Sequence, residues 1–278
     1  KDKNQRLDSH IDTLKRVVFQ KELGSLFDKS ERVKNLSSFI SEQLNLNSSH
    51  VIRAAELSKC DLLSNMVGEF ADLQGVMGHY YADHDGEDSA VGLAIEEQYL
   101  PRFSGDVLPS SEAGIVLALA ERLDTITGLF GIGQPPSGSK DPFALRRAAL
   151  GILRIILEKQ LSLDMLSCIN HAIIAFDALP AEENLAQNIM DFIFDRLRGY
   201  YSDLGISTSI FQAVDAVRPN NPFTFNQQLN AVNHFSQLPE ASALAAANKR
   251  VANILSKLDS TPAETINDKL LKEPAEIS

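Results

Sequence analysis

The chain has no tryptophan, only two cysteines and few aromatic side chains, 7 % in all. Cys60 and Cys168 lie far apart in apolar, helix-like surroundings, so the sequence predicts no disulfide scaffold and fits a reducing compartment. No apolar run approaches the roughly 20 residues of a membrane span, and no signal peptide opens the sequence, which predicts a soluble, cytoplasmic chain without a membrane partner. Basic charge is also short: 26 Lys and Arg face 37 Asp and Glu, for a net charge of -11. That balance excludes a generally basic nucleic-acid binder and leaves room only for a local basic patch. No fixed-period repeat, low-complexity tract or sustained period-two alternation is present, so neither a solenoid nor a recognisable strand is predicted.

What is present is helical periodicity over 278 residues, enough for two domains. Apolar residues at spacings of three and four predict helices over Leu7–Leu26, Glu31–Leu44 and Val51–Val67, with Asn45–Ser49 as a break. Further helices are expected over Val91–Tyr99, Ser111–Phe130, Leu161–Phe176, Ala186–Tyr201, Ile210–Val217, Phe223–Phe235 and Ser242–Leu258. Between the Ser111 and Leu161 helices lies Gly133–Arg147 (GQPPSGSKDPFALRR), a loop running into a helix that extends to about Gln160. Asp141 is placed to accept from first-turn amides and Pro142 suits the first helical position. The following helix is so apolar that its cations Arg146, Arg147 and Arg154 must emerge at a seam or a surface. The sequence starts inside a charged helical pattern and stops without closing one, as expected of a fragment.

Three clusters invite chemistry. Gly133–Lys140 approaches the phosphate-loop pattern, but a serine separates Gly138 from Lys140 and a helix precedes it, so a flexible connector is the simpler reading. His79, Asp83, His84, Asp85, Glu87 and Asp88 are metal-ligand types, but without ligand spacing a solvated acidic loop over Asp83–Ser89 is the simpler reading. His84-Asp85 also echoes the His-Asp doublet of HD-superfamily phosphohydrolases, which sits on a helix and binds metal. The segment that better resembles the HD helix is Ala54–Leu63, with Glu121–Asp124 resembling the last Asp position. There Lys59 and Cys60 (or Cys60 and Asp61) stand at the doublet, and Ser30–Val33 offers no histidine. A lysine repels a cation, so the expectation is an HD-like helical fold without metal ligands or hydrolysis.

Four strings carry a wider resemblance: Val17–Lys29 (VVFQKELGSLFDK), Met66–Ala82 (MVGEFADLQGVMGHYYA), Gly133–Gly151 (GQPPSGSKDPFALRRAALG) and Leu238–Leu255 (LPEASALAAANKRVANIL). Spread in one order over nearly the whole chain, they resemble the beta subunit of bacterial glycyl-tRNA synthetase. The resemblance implies an all-α architecture: an HD-like domain over 1–180, then part of a helical, DALR-like anticodon-binding domain over 181–278, of the kind shared with arginyl-tRNA synthetase. It implies a tRNA-binding portion with no catalytic residue, no metal and no cofactor of its own. ATP would be used by the holoenzyme, two alpha and two beta chains, whose alpha subunit activates glycine for tRNA(Gly). It makes Lys140, Arg146, Arg147, Arg154, Arg196, Arg198, Lys249, Arg250 and Lys257 the candidate RNA contacts. Such cations supply salt-dependent phosphate affinity without base specificity, while a structural ion pair is the competing reading for each. Arg147 and Arg154, and Arg250 and Lys257, are spaced to share a helical face. The rival readings are an HD-type nucleotide phosphohydrolase and a helical scaffold that docks the alpha subunit.

Overall fold

The computed structural model describes residues 2–176, 179–180 and 183–257, and among these the fold is all-α apart from one hairpin. The expected first helix is short. After 3₁₀ turns, α1 (Ile11–Leu14) stops and the chain enters a hairpin of β1 (Val18–Gln20) and β2 (Gly24–Ser25), pairing Val18 with Ser25 and Gln20 with Gly24. The β-branched Val17-Val18 and Phe19 favour extension over helix. Gly24 makes the turn possible at φ +87, and Gln20 Oε1 accepts the Leu23 amide at 3.2 Å inside it. The stretch is too brief to show alternation.

Helix α2 (Leu26–Gln43) opens five residues earlier than periodicity suggests, on a capping box: Ser25 Oγ accepts from Asp28 N at 3.2 Å while Asp28 accepts from Ser25 N at 2.7 Å. The expected Val51–Val67 helix is two. Helix α3 (Ser49–Leu57) ends where Ser58 Oγ bonds back to Ala55 O, a 3₁₀ turn follows, and Ser64 caps α4 (Asn65–Glu69) by accepting from Val67 N. Side chains that bond their own backbone compete with the helix here. The tract expected as a polar loop over Asp83–Ser89 begins instead inside α5 (Val76–Asp85), so His84-Asp85 lies in a helical last turn closed by left-handed Gly86.

Helices α6 (Ser89–Glu97) and α7 (Glu112–Gly131) fall where expected. Helix α7 is the centre of the fold: it is buried from Gly114 almost continuously to Gly131 and packs against α2, α3 and α6, and against α8 (Leu145–Glu158), α9 (Met165–Ile174) and α10 (Leu185–Asp203). A helix buried on every side must satisfy its own charges internally, and its three mid-helix ions do so. The Arg122 guanidinium donates to the carbonyls of Gln98, Tyr99 and Pro101, capping the C-terminal end of α6, and to Ala118 O in its own helix. Glu121 and Asp124 meet cations from α2 and the end of α3.

The start of α8 differs from the sequence expectation. Pro142 is not the first helical residue; the chain makes a turn, Ala144 adopts φ 54, and the helix begins at Leu145. Asp141 nevertheless serves the expected role from one turn back, accepting from Leu145 N at 2.8 Å and Arg146 N at 3.0 Å. Helix α9 starts at Met165 rather than Leu161, capped by Asp164, which accepts from Ser167 N at 2.8 Å. Helices α11 (Thr208–Asp215) and α12 (Pro222–Ser236) follow α10.

Helix α10, the first element beyond the expected division at 180, packs on α7, α8 and α9, and the compact unit that contains α7 continues to Leu229. From Asn230 a second unit carries the end of α12 and α13 (Pro239–Leu255). Helix α13 begins with Pro239 in its first turn and exposes Leu244, Val251, Ile254 and Leu255. Among the described residues no helix is long and apolar enough to cross a membrane.

Candidate nucleic-acid interface and the buried charge cluster

The α8 cations emerge at a seam. Leu145, Ala149, Ile152, Leu153 and Ile156 of α8 are buried, which turns the opposite face, with Arg147, Leu150 and Arg154, toward α10. Between the two helices and the Ser104-Gly105 loop runs a groove of about 670 Å³. Arg146, Arg147 and Arg154 line it from α8 and Arg196 lines it from α10. The sequence nominated these four arginines in two stretches that only the fold joins. Asp195 and Asp203 also line the groove, so four guanidinium groups face two carboxylates there.

Each guanidinium is held differently. Arg146 donates to Gly138 O at 2.7 Å, tying the glycine-proline loop to the helix. Arg154 bonds Glu158 at 2.8 Å and Asp106 O at 3.1 Å, so the competing ion-pair reading applies to it in part. Arg147 is exposed and carries no hydrogen bond or ion pair among the described residues. Arg196 lies 5.7 Å from the Phe192 ring centre, with its Nε buried and without an acceptor.

The other nominated residues lie elsewhere. Lys140 is exposed in the loop, where Ser137 and Lys140 exchange backbone hydrogen bonds and close a tight turn. The turn closes the tip of the stretch that the sequence reads as a flexible connector over Gly133–Lys140. Arg198 points to the Phe211 ring at 5.7 Å, and Lys249 and Arg250 are exposed on α13. Lys257 follows the end of α13 at Leu255, so it does not share a helical face with Arg250 as its spacing suggested. Sequence reasoning missed the apolar rim near the arginines: Phe103 and Val107 are strongly exposed in the loop after α6, and Phe143 is 44 % exposed just before α8. An aromatic residue beside Arg and Gly in a loop was the available signal.

Beneath this surface is the charge cluster that satisfies α7. Lys29 Nζ reaches Asp124 at 2.9 Å, Thr125 Oγ1 at 2.8 Å and Glu121 at 3.3 Å. Arg32 Nε reaches Asp124 at 2.7 Å, and Lys59 Nζ reaches Gln98 Oε1 at 2.8 Å and Glu121 at 3.2 Å. Both lysines and Asp124 are buried. Burial works to raise the Glu121 carboxyl pKa, but Lys29 and Lys59 outweigh it and hold the group below its ordinary value, ionised. Two ammonium groups and a guanidinium already neutralise the Glu121 and Asp124 carboxylates and would repel a divalent cation, so the cluster does not fit a metal. The acidic tract is spent on several partners too. Glu87 pairs with Arg53 at 2.6 Å, Asp88 caps α6, Asp85 accepts from Leu7 N, and His79 bonds Glu96 at 2.7 Å. Among the described residues no group of three His, Cys, Asp or Glu side chains comes together to hold a metal ion.

The family model described as glycyl-tRNA synthetase beta subunit matches residues 1–216. The chain belongs to that family. It is 49 % identical over 275 residues to the glycine–tRNA ligase beta subunit of Pseudomonas aeruginosa (strain UCBPP-PA14), covering 99 % of this chain and 40 % of that relative. The corresponding Colwellia psychrerythraea protein is 50 % identical over 275 residues, and that of Enterobacter sp. (strain 638) is 49 % identical over 277, again covering 40 % of each relative. This beta-subunit chain thus spans about 40 % of the length of the curated relatives it matches.

Proposed function

We propose that this chain is a tRNA-binding portion of a glycyl-tRNA synthetase beta subunit, supporting the charging of tRNA(Gly) by a catalytic alpha subunit in the cytoplasm. The observation that carries the reading is the convergence of Arg146, Arg147, Arg154 and Arg196 on one groove in a protein that is otherwise acidic. A local basic groove with Tyr200 in its lining suits an RNA backbone better than it suits an apolar protein partner. That favours the RNA-binding reading over the scaffold reading. The chain would contribute no adenylate chemistry: ATP and glycine would be handled by the alpha subunit of a two-alpha, two-beta holoenzyme. The HD-like description of the first helices, and a helical anticodon-binding section after 180, belong to the same proposal. The cation-filled Glu121–Asp124 cluster supports an HD-like core without hydrolytic metal, which disfavours the phosphohydrolase reading.

The test is fluorescence anisotropy of labelled tRNA(Gly) with the chain and with Arg146→Glu/Arg196→Glu. Each lost phosphate contact removes close to one unit from the slope of log affinity against log salt. The double variant is expected to lower both affinity and slope, at unchanged helix content. Equal affinity and equal slope would assign both arginines to structure.

A further inference from the structure

Arg147 also lines a second cavity of about 650 Å³, on the α7 side of the start of α8. Arg102, from the loop after α6, and Arg122, from α7, line it too, so three guanidinium groups reach one space. Arg122 has committed both terminal nitrogens to carbonyls and adds charge alone. Arg102 and Arg147 are exposed, and their side chains make no hydrogen bond or ion pair among the described residues, so their donors are open. Of the two lining carboxylates, Glu121 is already paired with Lys29 and Lys59, which leaves Asp72 as the one without a cation and positive charge in excess. Burial raises the pKa of the Tyr99 hydroxyl and Arg102 is near enough to oppose the rise, which sets that guanidinium beside the Tyr99 wall. The hydroxyl itself makes no hydrogen bond among the described residues and is a further open donor. Phe143 lines the same cavity, is 44 % exposed, and its ring meets no other aromatic group or cation among the described residues.

Open guanidinium groups next to a free aromatic face suit a ligand that carries a phosphate and a flat ring together. A nucleotide does so only when its base is unstacked, because in a duplex the base faces are covered by their neighbours. A carboxylate-rich protein segment would satisfy the arginines and leave the Phe143 ring without a partner. Arg147 decides between a free nucleotide and a strand: it is common to this cavity and to the groove that holds Arg146, Arg154 and Arg196, so a backbone lying in the groove continues past it. We propose that this cavity holds one unpaired nucleotide of an RNA strand that leaves the groove over Arg147, with a phosphate on Arg102 and Arg147 and the base against Phe143. The inference rests on the groove reading for the course of the strand. Phosphate and ring face are common to all four nucleotides, so the site selects unpaired over paired RNA and not one base over another.

The experiment measures fluorescence anisotropy of a labelled single-stranded RNA of about 12 nucleotides, and of the same strand annealed to its complement, against the chain over a range of salt concentrations. The single strand is expected to bind more tightly than the duplex. Arg102→Ala is expected to lower its affinity about 5-fold and to take close to 0.7 off the slope of log affinity against log salt, because one phosphate contact is lost. Phe143→Ala is expected to lower it about 5-fold at unchanged slope, because stacking releases no counterion, and to leave duplex binding as it was. Both residues are exposed, and helix content read by circular dichroism confirms that each variant is folded. Equal affinity for single strand and duplex, or unchanged single-strand affinity in both variants, overturns the proposal. Arg146→Glu/Arg196→Glu changes the groove and no residue of this cavity. Loss of binding in that variant, with Arg102→Ala and Phe143→Ala silent, keeps the groove reading and sinks the cavity; the reverse pattern keeps the cavity and sinks the groove.

Discussion

Asp124→Asn tests whether the charge cluster under α7 holds the fold together. Asp124 has a side chain only 2 % exposed and accepts from Lys29 at 2.9 Å and Arg32 at 2.7 Å. The carboxamide keeps the shape, but it brings an NH2 group toward a place where two cations already converge. Lys29 keeps Glu121 at 3.3 Å and Thr125 at 2.8 Å, and Arg32 keeps Leu23 O at 3.1 Å and the Phe176 ring at 4.2 Å. These contacts offset part of the loss. Removing one partner from a buried pair costs about 3–5 kcal/mol. In a compact unit of this size about 1 kcal/mol moves the midpoint by roughly 2–4 °C, so a fall of about 10 °C is expected. Thermal unfolding followed by circular dichroism in the helical band reads it. In a Lys29→Met background the same substitution should cost less, with a coupling of about 1–3 kcal/mol. A fall below about 3 °C, or strict additivity with Lys29→Met, would refute the claim that these charges depend on one another.

Gly114→Ala should also destabilise, because an added Cβ would lie 2.0 Å from Glu97 Oε2 and 2.8 Å from Ser111 Oγ. The displaced Glu97 carboxylate accepts from the backbone and hydroxyl groups of Ser110 and Ser111 at the start of α7, so about 1–3 kcal/mol should be lost in urea unfolding. Gly199→Ala, with nothing within 4 Å, should be neutral or up to about 1 kcal/mol stabilising, and equal losses at both positions would refute the packing argument. For pH, hydrogen bonds from the Asn65 side chain and then the Met66 amide bring the Asp2 carboxyl from 3.8 down to about 2. A depressed folded value means the contribution is complete above the unfolded value near 3.8 and is lost as pH falls through about 2. A carboxyl NMR titration of Asp2 with its midpoint near 3.8 would show that these bonds do not form in solution.

Most of the helices were legible from spacing alone, because an apolar face must be buried and periodicity shows which face. Boundaries were less legible where side chains bond the backbone. Ser58, Asp61 and Ser64 divide a continuous apolar pattern into α3, a 3₁₀ turn and α4, and nothing in the period of Leu57, Leu62 and Met66 betrays this. The Val18–Ser25 hairpin was hidden by its brevity. At the α8 start the role of Asp141 was readable, whereas Ala144 at φ 54 was not, since alanine carries no signal for a left-handed turn. Lys59 was legible as a cation beside the Glu121–Asp124 stretch only by resemblance; the destination of its ammonium, on Glu121, was not legible.

By itself the sequence determined an all-helical chain with a net negative charge and an apolar helix after Asp141 whose arginines had to reach a seam or a surface. It also carried the strings that tie the chain to its family. Only the tertiary structure decided that Arg146, Arg147, Arg154 and Arg196 share one groove and that Lys29 and Lys59 meet on Glu121. The physical reason is that burial and helical period are set by neighbours within a few residues. Which charge faces which is set by how separate helices pack around α7, and that depends on contacts across stretches as distant as Lys29 and Asp124.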